Sequence, residues 1–261
     1  MIKKNYLENL NSSKKPFIIY KSNKGFDLYT DFSKKIILTN NNVEKFINES
    51  TKLTSKKKET DLFIGFFGYE ILNNIIGVKV KKQKGLKFPK GIFYKPETKI
   101  KLPNKLNYKN LRIFKSNNLF KININKDSYK VIFDNFKKKI KSGETYQIKI
   151  CTKYSNKVQI DALDFFCRLI KSNMAPEAFI IKDRDYSIIS CSPENLINKK
   201  NSFITTKPIA GTLKRTKKLN KIKALAFFKK NIKETKEHNM IVDMERSDLS
   251  RICKAGSVKI L

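Results

Sequence analysis

Between Ser192 and Arg215 the chain reads SPENLINKKNSFITTKPIAGTLKR, and this stretch restricts the fold more than any other. A carboxylate, Glu194, follows a proline that fixes the backbone before it. An alternating segment leads into the turn composition Lys199-Lys200-Asn201-Ser202, and Phe203-Ile204-Thr205-Thr206 alternates again. That order predicts a strand, a hairpin turn and a second strand. The second strand runs into Pro208-Ile209-Ala210-Gly211-Thr212, where Gly211 lets a ligand come close to main-chain N–H groups. A hairpin this short returns its end to its beginning. Glu194 and the Ala210-Gly211-Thr212 backbone are therefore expected to flank one cleft. The same residues also suit a plain solvent-facing hairpin, and the stretch alone does not choose between the two.

Upstream, residues 16–20 and 36–39 read as short strands and 43–52 as a helix. Within 62–70, Gly65 and Gly68 interrupt an apolar strand, which marks a bulge, a tight neighbour or a ligand contact. Residues 79–120, rich in Lys, Asn and Pro, are expected to form edge strands and a connection. A β-rich first domain is accordingly drawn over 1–120 and a second over 121–261. From Asp127 the period changes: Tyr129, Ile132, Phe133, Phe136 and Ile140 recur at helical spacing, with Asp127 as a cap and Gly143 past the end. Residues 145–154 alternate, predicting a strand with Tyr146, Ile148 and Ile150 towards a core and Gln147 on its polar face.

Residues 162–171 form an amphipathic pattern with Leu163, Phe166, Leu169 and Ile170 inward. A hairpin about Asp183-Arg184-Asp185 follows, from 177–182 and 186–192. Past Arg215 a long helix is expected from near Leu219, burying Leu225, Phe228 and Ile232 and stopping at Ala255-Gly256. It puts Glu234 and Glu237 three residues apart on one face. A hard divalent ion such as Mg²⁺ would offset that repulsion, as would Lys233, Lys236 and solvent.

The net charge of +34 would ordinarily point to nucleic acid or an anionic membrane. Of the 57 basic residues, however, only six are arginine, the side chain suited to bidentate phosphate and base contacts. The lysines are spread along the whole chain, as an A/T-rich coding bias would leave them. No nucleic-acid partner is expected. Hydrophobic residues make up 40% and there are 19 phenylalanines, so the chain is globular. Four scattered cysteines and one histidine argue against zinc and for free thiols in a reducing compartment. No apolar run reaches the ~18 residues of a membrane span, and no signal-peptide pattern opens the chain. A soluble, cytoplasmic protein is expected.

Taken in order, several segments resemble the chorismate-utilising enzymes, component I of anthranilate synthase and of 4-amino-4-deoxychorismate synthase. They are Gly65-Phe66-Phe67-Gly68-Tyr69-Glu70, Ser142-Gly143-Glu144-Thr145-Tyr146-Gln147-Ile148, Ser192-Pro193-Glu194, Pro208-Ile209-Ala210-Gly211-Thr212 with Arg215, Glu237 to Asp243, Arg246-Ser247-Asp248-Leu249 and Gly256-Ser257-Val258. The resemblance implies an α/β (α+β) fold of two packed antiparallel sheets flanked by helices. It implies Mg²⁺ as cofactor, chorismate as substrate and a glutaminase subunit as the source of ammonia. Glu194 matches the family's general acid/base, Glu234 and Glu237 match metal carboxylates, and Ala210, Gly211 and Thr212 match the substrate loop. Gln147 stands where water-adding relatives have a lysine base, which suits amination. His238 does not match the catalytic histidine, which lies farther along.

Ala210 is what anthranilate synthases show, where many aminodeoxychorismate synthases have a lysine. The missing Leu-Leu-Glu-Ser motif and the run from Met240 to Arg246 favour the aminodeoxychorismate branch. The sequence ends at Leu261, before the family's catalytic histidine and second metal pair. A fold incomplete at its C-terminus, with little activity of its own, is therefore expected. Two other readings stand beside this one: a basic nucleic-acid-binding protein, and an inactive remnant that only docks the glutaminase.

Overall fold

The computed structural model describes residues 6–51, 58–77, 88–108, 120–158, 160–173, 175–216 and 219–261. In chain order the first elements are α1 (Tyr6–Ser12), β1 (Phe17–Ser22), β2 (Gly25–Ile37), α2 (Val43–Thr51), β3 (Ile64–Phe67), α3 (Tyr69–Ile75) and β4 (Gly91–Leu102). There follow β5 (Lys121–Ile122), α4 (Lys126–Lys141), β6 (Tyr154–Ser155), α5 (Ala162–Ser172), β7 (Glu177–Lys182) and β8 (Ser187–Ser192). The last are β9 (Asn198–Lys200), β10 (Phe203–Thr205), α6 (Lys221–Lys230) and α7 (Ile232–Ser250). Two compact units divide the chain: Met1–Asn107 with Phe166–Leu261, and Tyr108–Phe165.

A six-stranded antiparallel sheet, in the order β3-β4-β2-β1-β7-β8, organises the first unit. Strands from either side of residue 120 share it. β1 lies inside because both its faces are apolar: Phe17, Ile18 and Ile19 alternate across the sheet and all three are buried. Ile18 pairs with Tyr29 on one side and Ile181 on the other, and these join Ile92 and Tyr94 in one core cluster. Leu38, Val43, Phe46 and Ile71 form a second cluster with α2 and α3. Phe166, Cys167 and Ile170 of α5 are buried, with Phe166 edge-on to Phe26 at 6.0 Å.

One buried charge is built into this sheet. Asp183, in the β7–β8 turn, lies 2.6 Å from Lys35 Nζ and accepts hydrogen bonds from the Tyr94 hydroxyl, the Tyr186 hydroxyl at 3.3 Å and the Arg184 N–H at 2.6 Å. Burial pushes its carboxyl up, but the bonds from Lys35, Tyr94 and Arg184 outweigh that and hold it below the usual carboxylate range.

The α/β (α+β) class with antiparallel sheets is the one found, with two further two-stranded sheets, β9–β10 and β5–β6. α2, α5 and the β7–β8 hairpin form where the sequence periods put them. Leu163, Phe166 and Ile170 are buried as expected and Leu169 is half-buried. All four cysteines are free thiols. Among the described residues no helix is long and apolar enough to cross a membrane.

Several expectations need correction. β4 is no edge strand: it lies between β3 and β2. Its charges hid this, yet Lys99 is neutralised by Asp27 at 3.1 Å and Glu59 at 3.3 Å. Pro96 falls beside a register shift between Phe32 and Lys34, where a missing N–H is tolerated. Residues 79–87 and 109–119 of that expectation lie outside the described residues. The strand read over 62–70 stops at Phe67, and Tyr69 opens α3. A Cβ at Gly65 would stand 1.9 Å from the Ile92 carbonyl oxygen, and one at Gly68 2.4 Å from that of Lys90. Close backbone approach accounts for both glycines.

In α4 the cap is Asn125, whose side chain accepts the Ser128 N–H, and Asp127 falls in the first turn. Gly143 follows the helix with φ +76, as expected. Of the strand read over 145–154 only Tyr154 is in one, the two-residue strand Tyr154–Ser155 paired with Lys121–Ile122. Tyr146 is exposed and Ile148 and Ile150 are half-buried, because alternation alone supplies no partner for the backbone. The long helix expected after Arg215 is two helices, α6 and α7, broken at Asn231. Leu225 and Ile232 are exposed and Phe228 half-buried, rather than all three buried.

Candidate functional site

The β9–β10 ribbon turns at Asn201, whose φ of +55 suits the small polar side chain of asparagine. Its three cross-strand pairs run from Phe203↔Lys200 to Thr205↔Asn198. Before the ribbon, Ser192 Oγ donates to the Glu194 carbonyl at 2.9 Å and the Glu194 N–H donates back to Ser192 Oγ at 3.2 Å. This turn aims the Glu194 side chain across the ribbon. There the Ile209 N–H donates to Glu194 Oε1 at 2.7 Å. The ends of the hairpin therefore meet.

From Thr206 to Gly211 the chain, neither helix nor strand, passes along α7 as a strap. Thr206 Oγ1 donates to Glu245 Oε2 at 2.6 Å and also lies 2.9 Å from the Leu196 carbonyl oxygen. At the other end Gly211, with φ +76, packs so closely that a Cβ would meet Glu234 Oε2 at 2.6 Å and Phe228 Cε1 at 2.8 Å. Glu234 and Glu245 are three helical turns apart, on one face of α7. Two carboxylates thus accept hydrogen bonds from this segment, Glu245 at its start and Glu194 at Ile209, and a third, Glu234, lies against its glycine.

The α7 start explains how Glu234 is aimed. Asn231 ends α6, its N–H donating to the Phe227 and Phe228 carbonyls. It also begins α7, its side chain accepting the Glu234 N–H at 3.3 Å. Glu234 is therefore an acid in the first turn, where the helix dipole favours it. Its side chain is 20% exposed and Lys233, at 3.8 Å, is 81% exposed, so that ion pair is weak.

Glu194, Ala210, Gly211, Thr212 and Glu234 are brought into one neighbourhood by these contacts. Glu194 and Thr212 are exposed, and Ala210 and Gly211 are half-buried. Glu194 consequently stands open to solvent. Glu237 and His238 are half-buried on α7. Gln147 belongs to the unit of residues 108–165, where it is exposed and its carbonyl accepts from Thr145 Oγ1 at 3.2 Å.

For a metal, Glu234 and Glu237 supply carboxylate oxygens, the hard donors that Mg²⁺ prefers. Mg²⁺ commonly takes one or two carboxylates and keeps several waters. The missing Cβ of Gly211 leaves the Glu234 carboxylate uncrowded by the strap. The residues present fit part of such a shell. Among the described residues no group of three or more His, Cys, Asp or Glu gathers to complete it.

Thr206, Glu245 and Asn231 were not singled out from sequence, and Phe228 was read there only as a residue of the helix core. Two signals were available: Asn231 stands three before Glu234, a capping pattern, and Glu245 repeats the Glu234 face after eleven residues.

Residues 6–261 match the family described as chorismate binding enzymes. The chain is 34% identical over 135 residues to aminodeoxychorismate synthase component 1 of Bacillus subtilis, covering 51% of this chain and 29% of that protein. It is 28% identical over 256 residues to anthranilate synthase component 1 of Buchnera aphidicola subsp. Pemphigus spyrothecae, covering 82% of this chain and 49% of that protein. Half or less of each relative is spanned. The crystal structure of anthranilate synthase component I from Streptococcus pneumoniae TIGR4 superposes with a TM-score of 0.63 at 22% identity, over 90% of this chain and 62% of that one. This likeness shows the fold.

Proposed function

Since this chain belongs to the family of chorismate-binding enzymes, we propose that it serves in component I of a chorismate-aminating synthase of the 4-amino-4-deoxychorismate branch. The observation that carries the reading is the strap pinned between Glu194 and Glu234. It sets one acid within hydrogen-bond reach of a loop N–H and a second against the loop glycine. A substrate lying along the Ala210-Gly211-Thr212 backbone would have both within reach.

The chemistry asks for such an arrangement. Hydroxide is a poor leaving group, so the departing C4 hydroxyl of chorismate needs a proton donor, the role assigned to Glu194. Its exposure leaves the carboxyl open to substrate. Main-chain N–H groups of the loop offset charge on the substrate carboxylates. Glu234 and Glu237 would hold Mg²⁺, which when bound would neutralise part of the dianion. Gln147 deprotonates nothing, and ammonia, already a nucleophile, needs no base. A glutaminase subunit, in the cytoplasm, is the proposed source of that ammonia.

The run from Met240 to Arg246 supports the aminodeoxychorismate product. Ala210 favours the second reading, anthranilate. The test is product identification after incubating the complete synthase containing this chain with chorismate, ammonia and Mg²⁺. Glu194→Gln is expected to lower kcat by about 10²–10⁴-fold, the usual worth of a general acid, with the fold unchanged. Wild-type turnover in that variant would sink the assignment.

A further inference from the structure

Glu245 holds the start of the strap, five residues before the loop glycine. From Glu234 to Glu245 is eleven residues, about 16 Å along the helix axis. From Thr206 to Gly211 is five residues, about 17 Å at full extension. The strap and the stretch of helix between its two anchors are therefore of similar length. Ile209, on Glu194, and Gly211, against Glu234, lie three and five residues after the start of the strap.

We propose that Glu245 is a positioning residue: by accepting the Thr206 hydroxyl it sets the register of the 206–211 strap on α7, and through the strap the places of the Ile209 N–H and Gly211. The hydrogen bond is short and its acceptor is ionisable, the stronger class of such contacts. Thr206 is half-buried and has a second acceptor in the Leu196 carbonyl. Without Glu245 its hydroxyl stays bonded, but to β9's approach alone, and nothing ties the strap to the helix at this end. Any consequence for turnover rests on the function proposed above. The register of the strap does not.

Hydrogen exchange on the 261-residue chain tests the register directly. In Glu245→Ala and Thr206→Val the Ile209 amide is expected to exchange about tenfold faster, the loss of one charge-assisted bond. Glu245→Gln and Thr206→Ser, which keep an acceptor and a donor, should stay within about twofold of wild type. Amides at 240–244 in α7 should keep their protection in all four variants. An unchanged Ile209 amide in Glu245→Ala overturns the proposal. So does equal loss in Glu245→Gln, or loss of protection in α7 itself, which would mean a melted helix rather than a shifted strap.

A separate arm addresses the function. In the complete synthase, Glu245→Ala should lower kcat/KM for chorismate at least tenfold, and Glu245→Gln should restore it. Faster Ile209 exchange with undiminished kcat/KM would support the register role and remove the strap from the reaction. Those two failures are thereby kept apart.

Discussion

Replacing Gly211 with alanine separates two effects that usually come together. The first is conformational: an alanine at φ +76 pays about 1 kcal/mol for the left-handed region. The second is steric, since the new methyl would fall 2.6 Å from Glu234 Oε2 and 2.8 Å from Phe228 Cε1. Forcing a methyl into such a space typically costs about 1–3 kcal/mol. Gly256 supplies the control. It has φ +72 and nothing within 4 Å of the position a Cβ would take, so Gly256→Ala meets the first effect alone. Urea unfolding should therefore show a loss of about 1 kcal/mol for Gly256→Ala and about 2–4 kcal/mol for Gly211→Ala. Removing the Glu234 carboxylate relieves part of the clash. Glu234→Ala and Gly211→Ala together should thus be less destabilising than their sum, by about 1 kcal/mol. Equal losses at the two glycines, or strict additivity of the pair, would mean that the strap does not rest on Glu234. The proposed site would then lose its geometry.

Three other perturbations test the frame. Gly65→Ala must move β3 away from β4, because its methyl would lie 1.9 Å from the Ile92 oxygen; thermal unfolding should show a loss of about 3 kcal/mol or failure to fold. Phe166→Ala removes a fully buried ring from α5 and should lower stability by about 3–5 kcal/mol in the same assay. Asp183, held low by Lys35, Tyr94 and Arg184 against the push of burial, contributes stability that is present above the unfolded carboxylate value and lost as pH falls through the folded one. Stability should decline below about pH 4 in wild type, and this part of the decline should vanish in Asp183→Asn.

The sequence periods placed α2, α5 and the β7–β8 hairpin because each is a local pattern closed by its own turn residues. The meeting of Glu194 with the strap was legible for the same reason: a turn at Asn201 and equal arms bring 194 and 209 together. What was not legible depended on distant partners. The charges of β4 disguised an interior strand until Asp27 and Glu59 were seen to neutralise Lys99. Residues 145–154 alternate like a strand, but alternation does not provide the neighbour that makes one. The exposed Leu225 and Ile232 show the same limit, since an apolar stripe predicts burial only where something covers it. That Thr206 would find Glu245 could not be read from either residue, only from a hairpin and a helix packed together.

Asn231 is a one-residue knuckle. Were α6 and α7 to fuse, residues 221–250 would make a straight rod about 45 Å long, with its side chains fanned evenly around a single axis. The bend instead brings Phe228, three residues before the joint, and Glu234, three after it, to bear on the same glycine. The grip on Gly211 is a pincer with jaws on two helices, and Asn231 is the residue at which they meet.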